Sequence, residues 1–513
     1  MTPPAPARPA RVDARTLRDR VLDPGSWKSW DSPVPPRAVD DDYARELAEA
    51  AQKTRQDESI ITGEGTLRGR RVAVVAGEFG FLAGSIGIAA AERLIAAVER
   101  ATEEGLPLLA APVSGGTRMQ EGTVAFLQMV GITAAIARHK QAGLPYLVYL
   151  RNPTFGGVLA SWGSLGHVTI AEPGASIGFL GARVYEALYG EPFPEGVQTA
   201  EHMAERGLID AVVPHEEIGD VADRALRVLA ARQTWHLDVR GAERPTAEDG
   251  RDADDPEDGR TAWDVVTASR RPDRPGVRRL LRTAATDVVG LSGTGAGEKD
   301  PGLLLALARF GGAPCVVLGQ DRRGQSMSAP LGPAALREAR RGMHLAEELR
   351  LPLVTLIDTP GAALSREAEE GGLAGEIARC LHDMVILQAS TLAVLLGQGT
   401  GGGALALVPA DRVLAAANGW LGPLPPEGAS AIVHRTVDRA DEMAAHQGVR
   451  ATDLWRAGIV DRVVPERPDA ADEPVEFCER LGRVLGEELA GLLGRDDTER
   501  YRSRLHRYRH LGR

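Results

Sequence analysis

Residues 106–122, LPLLAAPVSGGTRMQEG, have a counterpart at residues 351–372, LPLVTLIDTPGAALSREAEEGG, with Leu106 and Leu351 standing 245 residues apart. Each stretch begins Leu-Pro-Leu, continues as an apolar run and ends in a glycine-bearing loop. A second apolar run ends at Leu150 before NPTFGGVLA, and its counterpart ends at Leu395 before LGQGTGGGALAL, again 245 residues on. Further along, EPGASIGF (172–179) answers PEGASAIV (426–433), and GLIDAVVP (207–214) answers GIVDRVVP (458–465). Four matches in the same order exceed what generic similarity between two Ala-rich segments produces, so the chain reads as a tandem repeat.

Short β-rich runs alternate with helical stretches inside each half. RRVAVVAGEF (70–79), LPLLAAPV (106–113) and LPYLVYL (144–150) read as buried strands, with helical apolar spacing over 85–99 and 122–142 between them. That alternation predicts α/β domains in which helices cover a largely parallel sheet. The stretch 236–260, HLDVRGAERPTAEDGRDADDPEDGR, has almost no apolar residues with which to offset the entropy of ordering, and reads as a charged linker. The expected organisation is a disordered N-terminus at 1–14, a first domain at 15–235, the linker, a second domain at 261–495 and a basic tail at 496–513. The tail, ERYRSRLHRYRHLGR (499–513), reads as a solvated helix end.

A net charge of -11 argues against wholesale nucleic-acid binding, although a local basic patch could still dock an anionic cofactor. The three cysteines, Cys315, Cys380 and Cys478, make neither a disulfide framework nor a metal-ligand spacing, and they suit a reducing compartment. The eleven histidines show no H-x₃-H or H-E-x-x-H arrangement, so no metal site is expected and no bound zinc. The N-terminus lacks the apolar core of a signal peptide, and no apolar run reaches the ~18 residues of a membrane span. A cytoplasmic location without membrane contact is the expectation.

Glycine-bearing loops recur where the strands end: Ser114-Gly115-Gly116, Thr154-Phe155-Gly156-Gly157, Pro360-Gly361-Ala362 and Thr400-Gly401-Gly402-Gly403. Glycine lets backbone approach a ligand closely, and a helix starting there offers unpaired amides to an anionic oxygen. Any one pair alone would be read as tight strand–helix packing; recurrence in both repeats points to oxyanion holes. Three look-alikes are read as chance. GQGTGG (397–402) matches G-x-G-x-x-G, but the homologous first-half loop lacks the pattern and no acidic residue follows at the needed spacing. In GTGAG (293–297) the pattern is broken by Glu298, and GASIG (174–178) follows Pro173 with no buried strand leading into it.

SGGTRMQEG (114–122), NPTFGGVLASWGSLGHVTIAEPGASIGFLGARV (152–184) and GLIDAVVP resemble the β subunit of bacterial acetyl-CoA carboxylase carboxyltransferase. VTLIDTPGAALSREAEEGGLAGEIAR (354–379), GQGTGGGALAL (397–407), PPEGASAIV (425–433) and TAWDVVTASRRPDRP (261–275) resemble its α subunit. The chain thus looks like a β–α fusion, and the resemblance implies two tandem crotonase-like α/β domains. It further implies carboxyl transfer from carboxybiotin to an acyl-CoA, acetyl-CoA by family, giving malonyl-CoA for fatty-acid or polyketide synthesis. Gly156 and Gly157 match the family's oxyanion amides on the acyl-CoA side, and Gly402 and Gly403 those on the carboxybiotin side. Gly115, Gly116, Gly361 and Ala362 match the companion loops. Two holes are required because transfer develops charge on the thioester enolate oxygen and on the biotin ureido oxygen; losing one donor costs roughly 10²–10³ in rate. The freed biotin nitrogen can take the α-proton, so no side-chain base is demanded.

There are two departures from the family pattern. The β subunit usually begins with a four-Cys zinc ribbon, whereas no cysteine precedes Cys315; the α pattern PGAYPG here reads PGAALS (360–365). No lysine follows a methionine as in the usual biotin-attachment motif, so biotin is expected on a separate carrier protein. A biotin carboxylase is expected as a further partner, together with at least a homodimer whose active site lies between chains. A malonyl-thioester decarboxylase and a non-catalytic assembly subunit are the competing readings; bulky residues in the glycine loops would mark the latter, and all four loops are intact.

Overall fold

The structure, a computed structural model, describes residues 11–35, 39–230, 259–326, 330–507 and 509. Of the segments expected to be linker and disordered terminus, 236–258 and 1–10 lie outside the described residues. Two compact units emerge, one made of the residues up to Leu226 with Gly295–Gly297, the other of Arg227–Thr294 and Glu298 onward.

In the first unit the strands are β1 (Lys28–Ser29), β2 (Ile60–Leu67), β3 (Arg70–Gly77), β4 (Leu108–Ala111), β5 (Tyr146–Leu150), β6 (Thr154–Phe155), β7 (Val168–Ala171), β8 (Ile177–Gly178) and β9 (Ala211–Val212). The main sheet has the order β1-β2-β3-β4-β5-β7-β9, while β6 and β8 pair separately. From β3 onward its neighbours run parallel. Every residue of β4 and β5 is buried, as expected of parallel strands covered on both faces. Helices Ile88–Glu103 and Gly122–Gln141 lie close to the positions read from apolar spacing. The hairpin partner β2 was not anticipated. Its sequence IITGEGTL has two glycines in the middle, which break the apolar run that marks a strand.

The second unit repeats this plan with β10 (Thr286–Leu291), β11 (Leu303–Phe310), β12 (Ala313–Gln320), β13 (Leu353–Thr359), β14 (Thr391–Thr400), β15 (Arg412–Ala416), β16 (Trp420–Gly422) and β17 (Arg462–Val464). The order is β10-β11-β12-β13-β14-β15-β17, antiparallel up to β12 and parallel beyond it, with β16 alongside the end of β14. Here β14 runs unbroken to Thr400, whereas in the first unit the equivalent stretch is divided into β5, ending at Leu150, and β6, starting at Thr154.

Two sequence readings are corrected. EPGASIGF and PEGASAIV are not structural counterparts. The first is a turn leading into β8, and the second is the helix Pro426–His434, opened by a proline at its start. The true partner of Ile177–Gly178 is Leu421–Gly422: both pairs lie parallel to the end of the preceding strand. Nor is the basic tail a solvated helix end. In helix Asp497–Arg507, Arg500 and Arg504 are both buried, one turn apart on one face. Arg500 pairs with Asp411 at 2.8 Å, Arg504 donates to Thr391 Oγ1 at 2.8 Å, and both reach carbonyls among Leu387, Gln388 and Ala389. Those carbonyls follow helix Leu373–Ile386, whose last turn leaves acceptors unsatisfied and favours cations.

Candidate functional site

Each unit builds its site from two loops, and the first begins with a hydroxyl staple. Ser114 Oγ accepts the Gly116 N–H at 2.9 Å and donates to the Gly116 carbonyl at 3.1 Å. Thr359 Oγ1 likewise accepts the Gly361 N–H, at 3.2 Å, while its own hydrogen goes to Gln325 Oε1 at 2.6 Å. The bend needs φ of +125° at Gly116 and +136° at Gly361, a region closed to most side chains. The next residue bridges to the segment preceding a long helix: Thr117 to Ile86 in the first unit, Ala362 to Leu331 in the second. The backbone therefore pairs Gly116 with Gly361 and Thr117 with Ala362, holding the 245-residue offset of the flanking strands, whereas the glycine motifs read by eye align Gly115-Gly116 with Gly361-Ala362.

The second loop starts a helical turn. Gly156 (φ +66°) and Gly401 (φ +62°) share one conformation, so Gly156-Gly157 corresponds to Gly401-Gly402, and Gly403 stands opposite Val158. Ser114 forms a bridge with Thr154, and the Phe155 N–H donates to the Ser114 carbonyl at 2.9 Å. The two loops of each unit meet closely. A Cβ added to Gly156 would lie 3.3 Å from Gly116 Cα, one on Gly157 3.4 Å from Thr117 Oγ1, and one on Gly403 3.5 Å from the Ala362 nitrogen.

Not every amide in these loops is free to meet a ligand. Gly115 N–H donates to the Ala83 carbonyl at 2.8 Å, Gly116 N–H to its staple, and Gly156 N–H to the Phe179 carbonyl at 3.0 Å. Those of Thr117, Gly157 and Ala362 meet no acceptor among the described residues. Gly402 lies in the first turn of helix Gly401–Leu405, where no preceding turn supplies a carbonyl. Thr117 was missed because it carries no glycine; applying the 245-residue offset residue by residue would have found it.

Buried side chains behind the loops hold them in place. In the first unit, Arg118 is fully buried and bidentate to Glu58, at 2.5 and 3.1 Å, with further bonds to Ser59 Oγ, the Ser85 carbonyl and Tyr43 Oη. In the second unit two neutral glutamines do the bracing. Gln320 Oε1 accepts the Asp358 N–H at 3.1 Å and its Nε2 donates to the Gly403 carbonyl at 2.7 Å. Gln325 Nε2 donates to the Asp358 carbonyl at 3.1 Å and its Oε1 accepts from Thr359 Oγ1 at 2.6 Å. Burial raises the Asp358 carboxyl above its ordinary value, against the pull of Arg322 at 3.5 Å.

Two of the three look-alike motifs have structural roles. Gly397 and Gly399 lie inside β14, and the Ser176 N–H is held by Asn152 Oδ1 at 3.1 Å at the entrance to β8. His139 is buried, which pushes its imidazole down to about 4, and it lies 2.9 Å from Thr102 Oγ1. Among the described residues no three His, Cys, Asp or Glu side chains gather as a metal-ligand set.

The sequence profile described as the carboxyl transferase domain matches residues 12–490. The chain belongs to this family. It is 60% identical over 503 residues to the probable biotin-dependent acyl-coenzyme A carboxylase beta3 subunit of Mycobacterium tuberculosis, covering 98% of this chain and 99% of that protein. Identity is 34% over 515 residues to the acetyl-coenzyme A carboxylase carboxyl transferase subunits beta/alpha of Saccharopolyspora erythraea, covering 98% and 89%. Among solved structures, transcarboxylase 12S with methylmalonyl-coenzyme A and methylmalonic acid bound superposes with a TM-score of 0.70 at 22% identity, covering 92% of this chain and 89% of that one. A single-chain, multi-domain long-chain acyl-CoA carboxylase gives 0.67 at 20% identity, covering 91% and 46%. These two likenesses are of fold, the crotonase-like α/β fold expected from the sequence.

Proposed function

We propose that this carboxyl transferase family member is the carboxyltransferase component of a biotin-dependent acyl-CoA carboxylase, acting on a short acyl-CoA with acetyl-CoA as first choice. The carrying observation is the duplicated loop pair, which in each unit leaves backbone amides without an acceptor among the described residues. Two developing oxyanions call for two such sets of donors. Thr117 and Gly157 serve the acyl thioester oxygen in the first unit; Ala362 and Gly402, with Gly403 keeping the approach open, serve the ureido oxygen in the second. The donor set fits that role: its backbone amides are neutral, and the loops that carry them are fixed by internal bonds. Carboxybiotin, delivered by a separate carrier protein, supplies the carboxyl group and the base; the chain's own residues position the two substrates and stabilise charge. The names of the 60% and 34% identical relatives support the acyl-CoA substrate and the biotin dependence.

On this reading the partners are a biotin carboxyl carrier protein, a biotin carboxylase and at least one further copy of the chain. No helix among the described residues is long and apolar enough to cross a membrane; the location proposed for this chemistry is cytoplasmic. The deciding experiment combines the purified chain with biotin carboxylase, carrier, ATP and bicarbonate over a series of short acyl-CoAs. Carboxylated product with acetyl-CoA preferred supports the proposal. Release of CO₂ from malonyl-CoA without any transfer would replace it with the decarboxylase reading.

A further inference from the structure

We infer that Gln320 is a positioning residue for the second unit's site: its carboxamide clamps the two loops together and sets where the Ala362 and Gly402 amides stand. This rests on the carboxyltransferase reading above. Gln320 ends β12, is fully buried, and bonds through its oxygen to the end of β13, which leads into one site loop, and through its nitrogen to the other loop. Its oxygen accepts from the backbone of Asp358, two residues before Pro360; its nitrogen donates to the carbonyl of Gly403. That carbonyl needs such a partner. Helix Gly401–Leu405 is a single turn, and the Leu407 N–H that could serve Gly403 goes instead to the Ala404 carbonyl at 3.0 Å. The first unit has no equivalent, because the strand register places Gly77, which has no side chain, where the second unit has Gln320.

A bond that ties one loop to the other controls their separation, and a misplacement of about 1 Å at reacting groups can cost about a hundredfold in rate. Donor and acceptor must both be present at once. A carboxamide meets that demand, as does a protonated carboxylic acid, but a carboxylate does not. Gln320→Glu therefore makes the clamp titratable. The charged groups around the new, buried carboxyl would be the acids Asp358 and Asp321 and the guanidinium cations that act on them, Arg322 and Arg274 on Asp358 and Arg278 on Asp321.

The test compares wild type, Gln320→Met and Gln320→Glu in two assays, carboxyl transfer from carboxylated carrier to acetyl-CoA and decarboxylation of free carboxybiotin without acyl-CoA. Thermal unfolding confirms which proteins are folded. The expected result for Gln320→Met is a folded protein with about a hundredfold loss of kcat in both assays and a KM for acetyl-CoA within about threefold of wild type. For Gln320→Glu, the rate relative to wild type should rise at least about tenfold as pH falls from about 8 to about 6, as the acid regains its proton. A folded Gln320→Met with wild-type turnover, or a Gln320→Glu ratio flat with pH, overturns the proposal. Failure of both variants to fold would also overturn it, by making Gln320 structural. A wild-type protein that transfers no carboxyl group to any acyl-CoA would instead sink the functional reading, leaving the two failures separable.

Discussion

Substituting Gly157 by Val tests the oxyanion donors proposed for the first unit with little collateral damage to the fold. Gly156 is the wrong choice, because its φ of +66° and the 3.3 Å approach of a Cβ to Gly116 Cα would strain backbone against backbone. Gly157 has neither problem. A Cβ there meets Met129 Cγ at 3.2 Å, Thr117 Oγ1 at 3.4 Å and Met129 Sδ at 3.5 Å, all side-chain atoms. Alanine therefore fits once Met129 gives by a few tenths of an ångström. The two further methyls of Val reach about 1.5 Å beyond Cβ and must displace either Met129 or Thr117. Overpacking of this kind costs about 1–3 kcal/mol, which a chain of this size survives. Losing one aligned donor costs roughly 10²–10³ in rate, and because the interaction is made to the developing charge, kcat should fall while the KM for acyl-CoA holds. The assay is steady-state carboxyl transfer, with Gly491→Ala as a control for glycine replacement, since nothing lies within 4 Å of its added Cβ. A folded Gly157→Val enzyme with undiminished kcat would refute the assignment of these amides.

Arg118→Met should lower stability by about 3–5 kcal/mol because it strands Glu58, only 2% exposed, without its partner; the double variant with Glu58→Leu should recover much of that, and denaturant midpoints check both. Burial raises Glu338 from an ordinary 4.5 to about 7, so between those values the folded chain holds a proton that the unfolded chain has released. Stability contributed by the protonated form is then full below about pH 4.5 and falls by about 3 kcal/mol as pH rises to 7; Glu338→Gln should flatten that slope, and parallel slopes for variant and wild type in unfolding measured across the window would contradict it. The helix Gly122–Gln141 leaves Val124, Phe126, Leu127 and Val130 all more than half exposed, more apolar surface than a lone chain ordinarily leaves to water. The protein should therefore run as at least a homodimer in light scattering, with Val130→Asp shifting it toward monomer, and a catalytically competent monomer would count against this.

How much of the molecule was legible in the sequence depends on how far apart the partners lie along the chain. The parallel strands announce themselves because burial on both faces leaves unbroken apolar runs such as YLVYL, and the repeat announces itself because Leu-Pro-Leu recurs 245 residues on. The staple is equally local: Ser114 and Thr359 each bond a glycine only two residues away, so the motif carries its own explanation and survives in both units. The bracing is different in kind. Glu58 and Arg118 are 60 residues apart, and Gln320 and Gly403 are 83 apart. No periodicity or spacing links such residues; only the closure of the sheet brings them behind the same loop. Arg500 and Arg504 were misjudged for the same reason, since charge on a terminal helix suggests solvent until Asp411 and the carbonyls of another helix end are seen beneath it. Long-range braces are also where the two units are free to diverge. A local staple tolerates only a hydroxyl, but a loop can be held from behind by any buried group that satisfies its orphan donors and acceptors, so one unit uses a guanidinium–carboxylate pair and the other a pair of carboxamides. The second unit's two glutamines carry no charge of their own, although the Asp358–Arg322 pair lies beside them at 3.5 Å, behind the donors proposed for the ureido oxygen. Their strength there rests on geometry alone, which is why a single carboxamide such as Gln320 can matter to that unit more than any one bond in the multiply bonded Arg118 network matters to the first.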